Sequence, residues 1–306
     1  MSGAGAAPVL IVGEALIDLT RRAGDDEVAR PGGSPLNVAV GLSRLDVPVT
    51  FASQLGDDER GELLRDHLDA SDVDVRSLPP HHGDTSTAIA DIGADGHATY
   101  AFDVTWNPSE LPDAAAFDLV HVGSIGAALA PGADAVLTLA AAAASHQVAV
   151  SFDPNVRLGI TADADDVVRR FDAISGHATF CRLSDEDATV LRPGVAPEVL
   201  LSELCTFGVA LAMMTFGSQG ALLVSGDAQV QLASKPTELV DTIGAGDSFT
   251  AAVLAGLCVR GWLGRHRFDV ADLRWLGELG TTAAAIVCSR PGADPPWLTE
   301  LPLLQA

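Results

Sequence analysis

Apolar residues along the chain fall into short continuous runs, separated by longer segments in which they recur every three or four positions. The runs PVLIVG (8–13), PVTFAS (48–53), DLVHVG (118–123), QVAVSFD (147–153) and VALAMMTFG (209–217) read as strands, each followed by a helical pattern. Such alternation is the signature of a parallel sheet covered by helices. Several runs are apolar at successive positions rather than alternating, as expected where both faces of a sheet are buried. The pattern predicts an α/β fold, a three-layer αβα sandwich with a mainly parallel central sheet. Ligands in such folds sit at the carboxyl ends of the strands.

Two stretches break the rhythm. EALIDLTRR (14–22) and TSTAIADIGADGHATYAFDV (85–104) look extended, with turns at 24–26 and 94–96, and ADG is a hairpin signal. They predict a small second sheet, a lid whose strands lie within 14–31 and 84–105. Without an internal repeat or a long linker, residues 1–306 read as one domain.

Charge narrows the choice of partner. Eighteen basic against 41 acidic residues leave a net charge of −23, and Lys235 is the sole lysine. A basic stripe for nucleic acid or an anionic membrane has almost nothing to be built from. Cys181, Cys205, Cys258 and Cys288 share no short spacing, which argues for reduced, mostly buried thiols rather than a zinc knuckle or redox pair. The start lacks a basic n-region, and the alanine-rich run 133–145 is short and carries Asp134, so a soluble cytoplasmic protein is expected. The histidines, His81 and His82 included, show no HExxH spacing.

The densest chemistry lies in VDTIGAGDSFTAAVLAGL (240–257). Phe249, Ala252, Val253, Gly256 and Leu257 recur at helical spacing, so a helix from about Asp247 would bury that stripe and begin within GAGD. Gly244, Ala245 and Gly246 then present backbone N–H groups at a helix start, which suits a phosphate. Asp247 is also the acid that an ordinary first helical turn favours, so both readings stand on this stretch alone. No GxxxxGK[ST] occurs, which excludes a Walker-type P-loop.

The same stretch resembles the second signature of the PfkB carbohydrate kinases, the ribokinase-like sugar and nucleoside kinases. PGGSPLNVAVGLSRLDVPVTFASQLGDDERG (31–61) resembles the first signature, and FDPNVR (152–157) and TFGSQGA (215–221) resemble further segments. GEALID, GGSPLNVAVGLSRL and FDPNVR together are most like the fructokinase branch. The resemblance implies transfer of the γ-phosphoryl group of ATP to a sugar hydroxyl. Asp247 would be the base, and the amides of Gly244, Ala245 and Gly246 would hold the transferring phosphate. A 2-keto-3-deoxygluconate, ribose or nucleoside kinase, or a catalytically silent sugar-binding regulator on the same fold, are the alternatives.

Asp18, Gly33 and Asn37, with Gly32 beside them, match positions that bind substrate hydroxyls, turn and capping roles being the alternative, while Ser34 as a helix cap and Pro35 in the first turn need no ligand. Arg157 faces the sugar or the phosphates, or lies solvated. Thr215, Gly217 and Gly220 belong to a loop over the nucleotide or to a plain hairpin turn. SDED (184–187) stands where relatives carry NxxE, which affects magnesium, so Asp187 is either a metal-linked acid or part of a capped helix start. IVCSRPGADPP (286–296) resembles a segment that encloses a monovalent cation such as K+ together with Asp241 and the Ile243 carbonyl. Magnesium is implied beside ATP. Trp106 closes over the sugar or packs beneath the lid. Exposed lid edges suggest a homodimer.

Overall fold

The computed structural model describes residues 8–22, 27–80, 83–92, 98–160 and 163–305. The turns expected at 24–26 and 94–96, and His81 and His82, lie outside the described residues. The strands are β1 (Val9–Val12), β2 (Leu16–Arg22), β3 (Val28–Gly32), β4 (Val49–Ser53), β5 (Asp74–Ser77), β6 (Thr87–Ile92) and β7 (Ala98–Asp103). They continue as β8 (Leu119–Gly123), β9 (Ala149–Asp153), β10 (Phe180–Ser184), β11 (Leu211–Thr215), β12 (Ala221–Ser225) and β13 (Ala228–Leu232). The helices are α1 (Ser34–Arg44), α2 (Glu59–Asp69), α3 (Ser124–Ala128), α4 (Gly132–Ser145) and α5 (Ala164–Ser175). After them come α6 (Asp185–Leu191), α7 (Pro197–Thr206), α8 (Ala245–Val259) and α9 (Val270–Cys288).

The large sheet runs β13-β12-β11-β10-β9-β8-β1-β4-β5. It is parallel from β5 to β11 and antiparallel only at β11, β12 and β13. The pleat of β1 sorts its side chains. Val9 and Ile11 enter one core with α1, α2, α8 and α9, while Leu10 and Val12 enter another with α4, α5 and α7. Both faces are thereby covered, which is why the strand runs carry so few polar positions.

After β11 the expected helix does not form. Gly217 and Gly220 both take positive φ, 51° and 99°, and the chain reverses through a short 3₁₀ turn into the antiparallel hairpin β12–β13. The strands β5 (DVRS) and β10 (FCRLS) carry charged residues, and their sequence pattern hides them.

The second sheet has the order β3-β2-β6-β7, two antiparallel pairs joined by the parallel pairing of β2 with β6. Its strands β2 and β3 leave the main sheet directly after β1 and return through α1, while β6 and β7 follow β5 and lead to β8. From β1, the chain builds the large sheet in one direction through β4 and β5 and in the other through β8 to β11. The crevice at the carboxyl ends of β1 and β8 is thus the topological switch point where such sheets bind ligands.

Candidate active site

Helix α8 is buried along nearly its whole length and starts at Ala245, two residues before the expected position. Gly244 caps it at φ 76°, and a Cβ there would stand 2.6 Å from that of Ala293, so both conformation and space call for glycine. The Ala245 amide donates at 3.3 Å to the Thr242 carbonyl and is partly spent in the turn. The Gly246 amide meets no protein acceptor among the described residues.

Asp247 is in the first turn of α8 and buried. Ser34 Oγ donates to its Oδ1 at 2.7 Å, and Asn37 Nδ2 donates to its Oδ2 at 2.7 Å. The starts of α1 and α8, over two hundred residues apart in sequence, therefore meet on one carboxylate. Ser34 is not the cap expected of it. Gly33 is the N-cap, with φ 108°, and Ser34, as the first helical residue, turns its hydroxyl to Asp247 instead. Asn37 Oδ1 is buried without a partner, an acceptor facing the site with nothing to accept.

On the other side of the α8 start lies Arg182 of β10. Its Nη1 donates to Asp153 Oδ2 at 3.0 Å, and its Nη2 bonds Thr215 Oγ1. A Cβ on Gly246 would stand 2.6 Å from Nη2, so this glycine lets the guanidinium reach the helix start. Arg182 Nε is a second buried group without a partner. Burial pushes the Asp153 carboxyl up to about 6; Arg182 pulls it down, and Asp187 and Asp247 push it up further.

Glu14 follows β1 and is 2% exposed. Its Oε2 accepts the Gly126 amide at 2.8 Å. Burial pushes this carboxyl up to about 7, against the Ser124 side chain and the Gly126 amide, with Asp247 adding a smaller upward push.

Asp18 lies in β2 of the second sheet. Burial pushes its carboxyl up to about 6, opposed by the charge of Arg157. A Cβ on Gly32 would overlap Asp18 Oδ2, and one on Gly33 would stand 2.8 Å from the Glu14 carbonyl oxygen. Arg157, exposed beyond β9, therefore acts electrostatically on the Asp18 side.

The remaining candidates lie around this centre. Thr215 ends β11 and is tied to it through Arg182, while Gly217 and Gly220 form the hairpin turn beyond. Asp187 accepts from Val156 N at 2.8 Å, and from Ser184 N and Oγ at 2.8 and 2.7 Å, in a capping box, so its carboxylate is engaged by its own fold. Asp241 accepts from Ile243 N at 3.1 Å and Gly292 N at 2.9 Å. Burial works against its charge, but the amides of Ile243, Gly292 and Thr242 outweigh it and hold the carboxyl below its ordinary value. Trp106 is 2% exposed and donates Nε1–H to the Gly126 carbonyl at 2.9 Å, which is packing rather than closure over a ligand.

Sequence reading passed over Glu14, Asp153 and Arg182 as functional residues. Glu14 and Asp153 had a usable signal, an acid at the carboxyl end of a core strand, and Arg182 had none.

The chain matches the model described as pfkB family carbohydrate kinase over residues 6–300. It is 30% identical over 305 residues to a fructokinase of Klebsiella pneumoniae, covering 94% of this chain and 97% of that one. An aminoimidazole riboside kinase of Salmonella typhimurium is 27% identical, with 80% and 79% covered. The crystal structure of fructokinase from Vibrio cholerae in its fructose, ADP and calcium ion bound form superposes with a TM-score of 0.80 at 26% identity, 94% of each chain being covered. A family match over nearly the whole length, joined to an acid fixed between two helix starts, places this chain in the pfkB family of carbohydrate kinases.

Proposed function

We propose that this kinase is fructokinase-like and moves the γ-phosphoryl group of ATP to the exocyclic hydroxyl of a ketose, with Asp247 taking the hydroxyl proton. One observation carries the reading. Asp247 is clamped by Ser34 and Asn37, with unspent donors on one side, Gly246 N–H and Arg182 Nε, and an unspent acceptor on the other, Asn37 Oδ1. The donors suit the phosphate and the acceptor suits a sugar hydroxyl. The hydroxyl oxygen bonds to the γ-phosphorus as the bond to the ADP oxygen breaks, and the proton passes to Asp247. Held by two side-chain donors and a helix start, Asp247 orients the alcohol and receives its proton late.

Asp18, Gly32, Gly33 and Arg157 form the sugar side, and Thr215, Gly217 and Gly220 the nucleotide side. The second sheet acts as a lid that excludes water from the transfer. Among the described residues no group of three or more His, Cys, Asp or Glu is arranged to hold a metal ion, and Asp187 is occupied by its cap. Magnesium, when bound, would offset the charge of the triphosphate during the transfer. Asp241, kept ionised against the turn at Gly292, is the acid suited to a monovalent cation beside the Ile243 carbonyl. Pairing of lid edges into a homodimer in a cytoplasmic setting completes the reading, and a single 31.5 kDa species in sedimentation would oppose the dimer. Among the described residues no helix is long and apolar enough to cross a membrane.

Purified protein with ATP and a panel of fructose, 2-keto-3-deoxygluconate, ribose and aminoimidazole riboside tests the substrate. ADP release with fructose supports the proposal, and turnover of the riboside alone overturns it. Asp247→Asn should keep sugar binding measurable by calorimetry while turnover drops by roughly 10²–10⁴.

A further inference from the structure

Glu14 takes no part in the transfer described above, yet it occupies the switch point of the sheet. Its main-chain oxygen lies against Gly33, immediately before the two side chains that clamp Asp247. Its carboxyl reaches across to α3, where Gly126 donates to it. Ser124, beside it, is held at φ 51°, and its Oγ lies 3.5 Å from Asn155 Nδ2; Asn155 is itself at φ 35°. Two non-glycine residues in the left-handed region, at the ends of adjacent strands, mark this floor as held under strain.

The charges around that floor do not balance. Asp247 on α8, Asp153 on β9 and Glu14 after β1 are all buried, and the cation among them, Arg182 on β10, is engaged by Asp153 and Thr215. No ion pair reaches Glu14 among the described residues; its facing groups are the Gly126 amide, the Ser124 side chain and the Asp247 carboxylate. An ionised Glu14 would be a second buried negative charge beside Asp247, where three more negative oxygens of the nucleotide must arrive.

We propose that Glu14 is a positioning residue that works in its neutral form, leaving Asp247 as the ionised acid beside the transferring phosphate, and that ionisation of Glu14 switches the site off. Burial, opposed by the hydrogen bonds of Ser124 and Gly126 and aided by Asp247, brings this carboxyl to about 7, so the switch falls within the physiological range. The proposal rests on Asp247 acting as the base.

The test is the ratio of kcat/KM for ATP at pH 6.5 to that at pH 8.5, in the parent enzyme and in Glu14→Gln. For a group titrating at about 7, the neutral fraction falls roughly twenty-fivefold over this span, and so should the parent's kcat/KM. In Glu14→Gln the ratio should be close to one, whatever the absolute rate. An equal fall in both proteins overturns the proposal, because a merely structural glutamate would change the rate without removing the pH limb.

Infrared difference spectra of the parent give a second readout that needs no variant activity. A protonated-carboxyl C=O band present at pH 6 and lost by pH 8 is expected over and above those of Asp18 and Asp153 at about 6, which an Asp18→Asn, Asp153→Asn background removes; its absence there overturns the proposal even if Glu14→Gln fails to fold. If no panel sugar is phosphorylated while the band titrates, the assigned reaction fails and the buried neutral acid stands. If sugar is phosphorylated with the same pH limb in both proteins, Glu14 alone has been misread.

Discussion

Replacing Arg182 with methionine is the sharpest probe of the site's electrostatics. The side chain is buried and 3.0 Å from Asp153, so the variant leaves an unpaired carboxylate in the core beside Asp187 and Asp247. Removing one partner of a buried pair costs about 3–5 kcal/mol, and at about 2 °C per kcal/mol for a chain of this size the melting temperature should fall by roughly 6–10 °C at pH 8. The sign of the pH dependence follows from Asp153. Its folded carboxyl stands at about 6 against an ordinary 3.8, so this group stabilises the fold relative to neutral pH below 3.8, and that stability is lost as pH rises through 6. Without Arg182 the same loss is larger and extends to higher pH. The deficit of Arg182→Met should therefore be greatest at pH 8 and shrink at pH 5, where Asp153 takes a proton. Adding Asp153→Asn should recover most of it. Urea and thermal unfolding at both pH values provide the measurement. An equal deficit at pH 5 and pH 8, or no recovery in the double variant, would refute the reasoning.

Three further outcomes are expected. Asn37→Ala removes a donor to Asp247 and the unspent acceptor, a loss of about 1.5–3 kcal/mol for the charged bond alone, so kcat/KM for sugar should fall by roughly 10–100-fold in steady-state assays. Gly246→Ala drives a methyl into the Arg182 guanidinium; destabilisation of about 1–3 kcal/mol by denaturant, with a raised KM for ATP, is expected, and unchanged values of both would count against the packing described. Trp106→Phe keeps most of the buried ring but leaves the Gly126 carbonyl without its donor, which should cost about 1–3 kcal/mol in unfolding experiments and leave ATP affinity in titrations unaltered.

The sandwich was legible because most of its buried strands announce themselves locally as apolar runs, and the pattern of β1, β4, β8 and β9 needed no knowledge of its neighbours. Asp247 and its glycines were legible for the same reason, as a helix start written in consecutive residues. The clamp on Asp247 was not, since Ser34 meets it only once the second sheet has carried the chain out and back. A serine before a proline and a helical pattern looks locally like a cap, and only tertiary packing turns its hydroxyl elsewhere. Arg182 was hidden more deeply. Nothing in FCRLS distinguishes a solvated arginine from one buried against Asp153, because the distinction depends on β9 and β10 lying side by side.

The immersion of α8 in apolar side chains has a mechanical consequence. Gly256, three turns beyond the reacting end, is pressed against Leu279, Trp275 and Leu276 of α9, and Gly280 of α9 admits Phe249 of α8. Asp247 thus sits on a buried helix braced from behind by α9. A bulky residue at Gly256 or Gly280 would then act at a distance, tilting Asp247 away from the Ser34 and Asn37 side chains that hold it.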